Sequence, residues 1–197
     1  MHTPPNATLI ATLWPSRAAP RLVRAAALAI GGTLLLTASA KIQVPFYPVP
    51  MTLQTLAVLV IGAAFGARLA AATLALYLAE GFVGLPVFAG VVAGPAYMAG
   101  PTGGYLVGFL VAAALVGWLA ERGWDRDWLR LIAAMTLGHA ALFVLGFLWL
   151  AAPLGAERAW AVGVAPFYAA TALKTLLAAA LVGAAWHGLA RARRDDA

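Results

Sequence analysis

Residues 131–156, LIAAMTLGHAALFVLGFLWLAAPLGA, contain no Asp, Glu, Lys or Arg side chain. A helix needs about 20 apolar residues to cross the hydrocarbon core of a bilayer, and this run is long enough. Charge-free runs recur along the chain at residues 25–40, 42–67, 81–120, 159–173 and 175–190. Their polarity does not alternate as it does in the strands of a membrane barrel, and their many Ala and Leu residues favour helix. The sequence therefore predicts an all-α membrane protein.

The composition agrees with this prediction. Of the 197 residues, 63% are hydrophobic and 10% are charged, whereas about 25% of the residues in a soluble domain are charged. The chain has no cysteine, which excludes a disulfide scaffold and a thiolate metal site. It also lacks the Gly-x-x-x-x-Gly-Lys-Ser/Thr, His-Glu-x-x-His and Gly-x-Ser-x-Gly motifs, so we expect no ATPase site of its own, no enzyme activity, no metal and no cofactor.

Proline, glycine and charged residues divide the apolar sequence into six predicted membrane-spanning helices. We expect them at roughly residues 21–40, 52–66, 68–85, 103–120, 130–152 and 166–188. Gly66 is expected to end the second helix. Residues 41–51 and 84–104 each contain three prolines, which predicts two ordered loops. Both loops are apolar, so we expect them to fold back over the end of the helix bundle.

The distribution of cationic side chains predicts the orientation in the membrane. With a cytoplasmic N-terminus, ten Arg side chains lie on the inside, and only Lys41 and Arg158 lie outside. The net charge of +6 then reflects membrane topology and requires no nucleic-acid partner. We expect residues 1–20 to form a cytoplasmic extension rather than a cleaved signal peptide, residues 21–190 the six-helix domain, and residues 191–197 a cytoplasmic tail.

Lys174 is the most informative single residue. It lies inside the apolar run PFYAATALKTLLAAALVGAAW at 166–186, about 12 Å below the outer end of its helix at a rise of 1.5 Å per residue. A lysine within the membrane costs about 2.5–3.5 kcal/mol, so its side chain should face a cavity or an opposite charge. We expect it to anchor an anionic group in an outward-opening pocket. The alternative is a side chain that reaches up to the outer interface.

Two further titratable residues have more than one interpretation. Glu80 is expected either to pair with Lys174, to bind a polar ligand, or to lie among headgroups at the outer end of the third helix. His139 is expected to be a core histidine or to form a hydrogen bond between helices. A proton relay is less favoured for His139, because no second histidine or acid accompanies it on the fifth predicted helix.

Four segments carry a family resemblance: VPMTLQTLAVLVIG at 49–62, GLPVFAG at 84–90, GPTGGYLVGF at 100–109 and PFYAATALKTLLAA at 166–179. They occur in the order and at the spacing typical of the biotin-specific substrate-binding (S) component of energy-coupling-factor (ECF) transporters, the BioY family. The chain resembles this family over about residues 21–190. GPTGGYLVGF, together with the upstream GLPVF, is the most specific of these segments.

The resemblance implies a six-helix protein of the bacterial cytoplasmic membrane that captures biotin from outside with high affinity. It also implies a transmembrane coupling subunit and a pair of ATP-binding-cassette ATPases as partners. Ala25 and Ala29 match the small-residue motif that contacts the coupling subunit in the family. Lys174 matches the lysine that binds the biotin carboxylate, and Thr171 stands where family members often have an aspartate for the ureido ring.

The chemistry of biotin suggests further contacts. The ureido group needs hydrogen-bond partners, for which Thr171, Gln54, Thr102 and Glu80 are candidates. The thiophane ring needs apolar walls, for which the candidates are Phe46, Phe88 and Tyr105. Two alternatives remain: the same scaffold could bind another anionic vitamin, or the chain could be a membrane-embedded subunit without transport function. In the second case Lys174 would have no obvious use.

Overall fold

The computed structural model describes residues 7–14 and 20–195, and this part of the chain is almost entirely helical. The remaining residues of the expected N-terminal extension and C-terminal tail, 1–6, 15–19 and 196–197, lie outside the described part. The helices are α1 Leu9–Leu13, α2 Arg21–Lys41, α3 Gln54–Phe65, α4 Ala67–Phe82, α5 Pro95–Met98, α6 Gly103–Ala120, α7 Trp128–Leu154, α8 Ala156–Gly163 and α9 Tyr168–Asp195. Short 3-10 turns precede α7 and α9 at Trp124–Arg126 and Ala165–Phe167.

A helix lies in each of the six predicted membrane segments, namely α2, α3, α4, α6, α7 and α9. Gly66 separates α3 from α4 as predicted, with a φ of 81° that favours glycine. Four stretches of the described residues are both long and apolar enough to cross a membrane: Arg21–Lys41, Gly103–Ala120, Trp128–Leu154 and Ala156–Ala192. Helix α3 is apolar but has only 12 residues.

Helix α6 forms the centre of the bundle and packs against α3, α4 and α7. The α6–α7 contact is close because α6 carries glycines on the side that faces α7. A Cβ atom added at Gly108 would lie 2.8 Å from the Cα atom of Leu142. Small residues allow helix backbones to approach in membranes, where packing replaces the hydrophobic effect as the force between helices.

The two Pro/Gly-rich connections meet at one end of the bundle, as expected. The first also contains a small hairpin that the sequence did not predict. Strands β1 Gln43–Val44 and β2 Met51–Thr52 pair antiparallel, with Gln43 opposite Thr52. Strands of two residues are too short to show the alternation that identifies a strand in a sequence.

At the other end of the bundle, a polar cluster around the turn Trp124–Arg126 links three segments of the chain. Asp125 is buried and accepts a hydrogen bond of 2.7 Å from the indole Nε1 of Trp186. Its carboxylate also lies 3.5 Å from the guanidinium Nε of Arg126. Arg126 in turn donates to the carbonyl oxygen of Ala7 at 2.8 Å. The N-terminal segment, the turn before α7 and the C-terminal part of α9 are thereby linked.

The outer sides of the long helices are apolar and exposed. Leu34 on α2, Leu148 on α7 and Leu173 on α9 are 65%, 59% and 67% exposed, respectively. Large contiguous apolar surfaces of this kind are rare on soluble monomers. They are the surfaces that a bilayer covers in a membrane protein, which agrees with the predicted class of the chain.

Candidate functional site

A cavity with about 560 Å³ of space free of protein atoms, open solvent included, lies where two loops meet α3, α6, α7 and α9. These loops are residues 41–51 and 84–104, named the first and second outer loops after their predicted side of the membrane. Five of the eight residues that were predicted to contact a ligand line the cavity, and they come from three helices and the residue that precedes α6. These five are Lys174, Thr171, Gln54, Thr102 and Tyr105.

Lys174 provides the cation of the cavity. Helix α9 carries it one turn after Thr171, so both side chains face the same space. The ammonium is half-buried, and its Nζ donates a hydrogen bond of 2.6 Å to the backbone carbonyl oxygen of Thr52. Lys174 therefore faces the cavity and bonds to the β2 strand of the first outer loop. A ligand carboxylate that enters the cavity meets a cation already held in position.

A chain of hydrogen bonds continues from Thr52 into the core. The hydroxyl of Thr52 donates to Gln54 Oε1 at 3.2 Å, and Gln54 Nε2 donates to the hydroxyl of Tyr77 at 2.7 Å. Tyr77 is fully buried and donates to the carbonyl oxygen of Val87 at 2.7 Å. Buried polar groups that are all satisfied in this way hold one arrangement firmly. The network fixes the amide of Gln54 in the cavity wall and links both outer loops through α3 and α4.

Aromatic side chains form the apolar part of the wall. Tyr105 is buried on α6, and its hydroxyl donates to the carbonyl oxygen of Gly163 at 2.7 Å. Its ring meets that of Phe143 edge to face at a centroid distance of 6.2 Å, and Phe143 lies 6.0 Å from Phe167. Edge-to-face aromatic pairs favour such distances. The cavity thus has an aromatic side from α6, α7 and the turn before α9.

Tyr97, in the short helix α5, adds a polar group at the loop side of the cavity. Burial raises the pKa of its hydroxyl, and a hydrogen bond with Thr102 acts in the opposite direction. Because the pKa moves upward from its usual value of 10.0, Tyr97 is a neutral hydroxyl at physiological pH. It can donate to or accept from an uncharged polar group of a ligand.

Three of the predicted contacts lie outside the lining of this cavity. Phe88 is fully buried between other rings, stacked on Tyr97 at 5.1 Å and edge-on to Tyr77 at 5.5 Å. Phe46 is 42% exposed, and its ring centroid lies 6.2 Å from that of Phe167, a wall residue. Glu80 is half-buried near the end of α4. Phe88 and Phe46 therefore support wall residues, and none of the three faces the cavity.

His139 forms the hydrogen bond between helices that was one of its predicted roles. Its Nδ1 on α7 lies 2.9 Å from the hydroxyl of Thr175 on α9. The ring is buried and borders a second, mainly apolar cavity with about 710 Å³ of space free of protein atoms. Among the residues described, none forms a hydrogen bond with its Nε2. His139 joins α7 to α9 below the first cavity.

The two residues predicted to contact a partner lie on α2. Ala29 is buried against the bundle and Ala25 is half-buried. The opposite side of α2 is exposed and includes Ala27 and Gly31. A Cβ added at Gly31 would meet no atom within 4 Å. In this structure of the chain alone, α2 thus presents a second pair of small residues four positions apart on its open side.

The residues of the site that were missed in the sequence include Lys41, Thr52 and Tyr77, and also the wall residues Tyr97, Phe143 and Phe167. Lys41 was interpreted only as an outward charge, but its ammonium binds two carbonyl oxygens of the second outer loop. Tyr77 carries a hydroxyl group within the apolar helix α4. This could have indicated a buried hydrogen bond from the sequence alone. Thr52 contributes a backbone carbonyl, which no sequence pattern reveals.

No group of three or more His, Cys, Asp or Glu side chains within residues 7–14 and 20–195 is arranged to hold a metal ion. The chemistry that the cavity offers is instead that of ligand binding. One cation, several hydrogen-bonding groups and an aromatic wall surround this space.

Comparison with known proteins identifies relatives over most of the chain. A family model described as the BioY family matches residues 9–191. A probable biotin transporter BioY of Pyrococcus horikoshii is 35% identical over 133 residues, which are 68% of this chain and 78% of that protein. A biotin transporter BioY of Thermotoga maritima is 34% identical over 148 residues, which are 75% of this chain and 86% of that protein.

The fold also matches a solved structure. The crystal structure of the S-component for biotin from an ECF-type ABC transporter superposes with a TM-score of 0.72. The match covers 83% of this chain and 90% of that one, at 23% sequence identity. It establishes the common fold, while the assignment of the family rests on the sequence matches.

Proposed function

The chain belongs to the BioY family, and from this premise we propose that it captures biotin and takes part in biotin uptake as the S component of an ECF-type ABC transporter. The observation that carries the proposal is the position of Lys174. It is a cation in the apolar helix α9 that faces the cavity, and it is held there by a 2.6 Å hydrogen bond.

The groups of the cavity match those of biotin. Lys174 binds the valerate carboxylate, and charge-assisted hydrogen bonds of this kind are about twice as strong as neutral ones. Thr171, Gln54 and Thr102 supply hydroxyl and amide groups for the ureido ring. Tyr105 and the aromatic side of the cavity provide the apolar surface for the thiophane ring. We restrict the proposed contacts to these five residues, since Glu80, Phe88 and Phe46 do not line the cavity.

The proposal includes a membrane topology. We infer six membrane-spanning helices in a bacterial cytoplasmic membrane, with the outer loops outside and both termini in the cytoplasm. The bias of Arg and Lys supports this orientation. Residues 21–190 are the membrane domain, flanked by the extension 1–20 and the tail 191–197. The two shorter helices, α3 and α4, are joined at Gly66 and pack on the central helix α6.

The proposed partners are a transmembrane coupling subunit and two ATP-binding-cassette ATPases. The chain carries no phosphate-binding loop of its own, so ATP hydrolysis is assigned to these partners. We place the contact with the coupling subunit on α2, the helix that carries Ala25 and Ala29. Because Ala29 is buried in the isolated chain, the open side of α2 is the part that a partner reaches without rearrangement.

The proposal is tested by titrating detergent-purified protein with biotin. The host must be grown in biotin-poor medium, because a tightly bound ligand would copurify and mask the sites. We expect saturable binding by the wild type and a loss of about 3 kcal/mol or more in Lys174→Ala, the usual cost of removing one partner of a buried charge pair. Lys174→Met, which retains the apolar stem, serves as the second variant.

Each outcome has a distinct meaning. If folded, ligand-free wild type does not bind biotin, the substrate is wrong, and other carboxylated vitamins should be titrated. If both Lys174 variants bind as tightly as the wild type, the cavity is right but the anchor is wrong. Leu176→Ala, which alters an exposed leucine on the same helix, is the matched control and should bind like the wild type.

A further inference from the structure

One ammonium group holds the second outer loop at the edge of the cavity. Lys41, the last residue of α2, donates from its Nζ to the carbonyl oxygen of Phe88 at 2.7 Å and to that of Gly90 at 2.6 Å. Between these two residues lies Ala89, which lines the cavity. Lys41 therefore holds the backbone carbonyl groups of the residues on both sides of Ala89, although it does not line the cavity itself.

The inner side of the same loop is anchored differently. The ring of Phe88 is fully buried, and an added Cβ at Gly81 of α4 would collide with it. The carbonyl oxygen of Val87 accepts a hydrogen bond from the buried hydroxyl of Tyr77 at 2.7 Å. These contacts belong to the core. They persist as long as the bundle is folded.

The two anchors differ in their access to solvent. Tyr77 and Phe88 are fully buried, whereas Lys41 is exposed. Water competes for an exposed ammonium and not for buried groups, so the bonds of Lys41 are the ones that break first in thermal motion. Once they break, no side-chain bond holds Gly90, and Ala89 is free to move out of the cavity wall about the buried anchor at Phe88.

We propose that Lys41 is a positioning residue that controls how long the ligand stays bound, by holding residues 89–90 closed over the cavity. This inference rests on the proposed function, because it assumes that the cavity is the ligand site. Loop opening limits ligand release in many binding proteins and enzymes. A loop that opens more often releases its ligand faster, while the contacts that the bound ligand makes with Lys174 stay the same.

The test compares the dissociation rates of biotin from purified variants by displacement with excess unlabelled ligand. Lys41→Met removes both donors but keeps a side chain of similar length, and we expect dissociation at least 10-fold faster than in the wild type. The association rate should change by less than about threefold, since mutations at one site act mainly on dissociation. Lys41→Arg retains a cation and several donors, and its dissociation rate should be closer to that of the wild type.

Arg158→Met is the matched control, because Arg158 is the other cation predicted on the outer side. Among the contacts described, Arg158 forms no bond with residues 87–90. It should release biotin at the wild-type rate. The inference is overturned if Lys41→Met does not accelerate dissociation, or if Arg158→Met accelerates it equally. Lys41→Arg as fast as Lys41→Met would also count against it.

A second measurement needs no ligand. The chain has no cysteine, so Val91→Cys, at a position that is 89% exposed, carries a single spin label on the loop. In the ligand-free protein, we expect faster label motion with Lys41→Met than with Lys41, and no change with Arg158→Met. An unchanged spectrum for Lys41→Met overturns the inference. If the wild type does not bind biotin, the proposed function has failed, and the label still decides whether Lys41 holds the loop.

Discussion

Lys174 and its partner show how much of a binding site a sequence reveals at the scale of single residues. A cation inside an apolar helix is visible in the sequence, because its insertion is costly and needs a reason. Its hydrogen-bond partner is the carbonyl oxygen of Thr52, which lies 122 residues away. Every residue has a backbone carbonyl, so the sequence carries no signal for which one will be used.

Among the predicted ligand contacts, the three at the starts of helices line the cavity, whereas the two in loops do not. Thr102 precedes α6, Tyr105 lies in its first turn, and Gln54 is the first residue of α3. These side chains line the cavity because the ends of both helices lie beside it. Phe88 and Phe46 lie in loops, where the position along the chain does not determine the direction of the side chain. Phe88 turned into the core, where a glycine on α4 leaves space for its ring.

Asp125, outside the membrane segments, gives a prediction about pH. Burial raises the pKa of its carboxyl above the usual value of 3.8, while the bonds to Trp186 and Arg126 act in the opposite direction. The folded protein thus binds this proton more tightly than the unfolded chain does. The stability from Asp125 is present below about pH 3.8 and is lost as the pH rises through the raised pKa.

We therefore expect Asp125→Asn to become more stable relative to the wild type as the pH rises from 4 to 7. A tenfold difference in proton affinity between the folded and unfolded chains corresponds to about 1.4 kcal/mol. Asn retains an oxygen that accepts from Trp186. The measurement is thermal unfolding in detergent at several pH values.

A constant difference in stability between Asp125→Asn and the wild type across this pH range would contradict the prediction.

At the scale of elements, long apolar helices were predictable and short elements were not. Each long helix gives a run of apolar residues bounded by glycine, proline or charge, and Gly66 marks the boundary between α3 and α4. The hairpin of β1 and β2, with two residues in each strand, and α8, with eight residues, are too short for a periodic pattern. They depend on the packing of the neighbouring elements, which a local pattern does not contain.

The contact between α6 and α7 gives a prediction about packing. Gly108→Ala places a Cβ atom 2.8 Å from the Cα of Leu142, so the helices must separate. We expect a loss of about 1–3 kcal/mol in the free energy of unfolding, typical of overpacking. Gly31→Ala is the matched control, since a Cβ there meets nothing within 4 Å and Ala is the better helix former by about 1 kcal/mol.

Thermal unfolding of both variants in the same detergent tests this prediction. Gly108→Ala should unfold at a lower temperature than the wild type, and Gly31→Ala at the same or a higher one. Equal unfolding temperatures for the two variants would mean that α6 and α7 can separate at little cost. The close approach at Gly108 would then not be a determinant of the fold.

At the scale of the whole molecule, exposed leucines on α2, α7 and α9 surround the bundle. The proposed orientation places the outer loops and the chain termini on opposite sides of a membrane. Because the chain lacks cysteine, single substitutions report this directly. Val91→Cys marks the second outer loop, and Ala192→Cys marks the end of α9, both at exposed positions.

We expect a membrane-impermeant maleimide to label Val91→Cys in intact spheroplasts and Ala192→Cys only after lysis. Prior reaction with a permeant maleimide should block both positions, which controls for their reactivity. Labelling of Ala192→Cys alone in intact spheroplasts would reverse the proposed orientation. Labelling of both positions there would place the loop and the end of α9 on one side, and would rule out an odd number of membrane crossings between them.

The hydrogen bond between Lys174 and the carbonyl oxygen of Thr52 uses one of the three N–H donors of the ammonium group. A ligand anchored at Lys174, as proposed above, binds the remaining donors and need not displace this bond. A carboxylate offers them a full negative charge, whereas an ester, amide or alcohol offers only a dipole. The proposed anchor therefore predicts selection of ligands by ionisation state, with neutral esters and amides bound more weakly than the free acid.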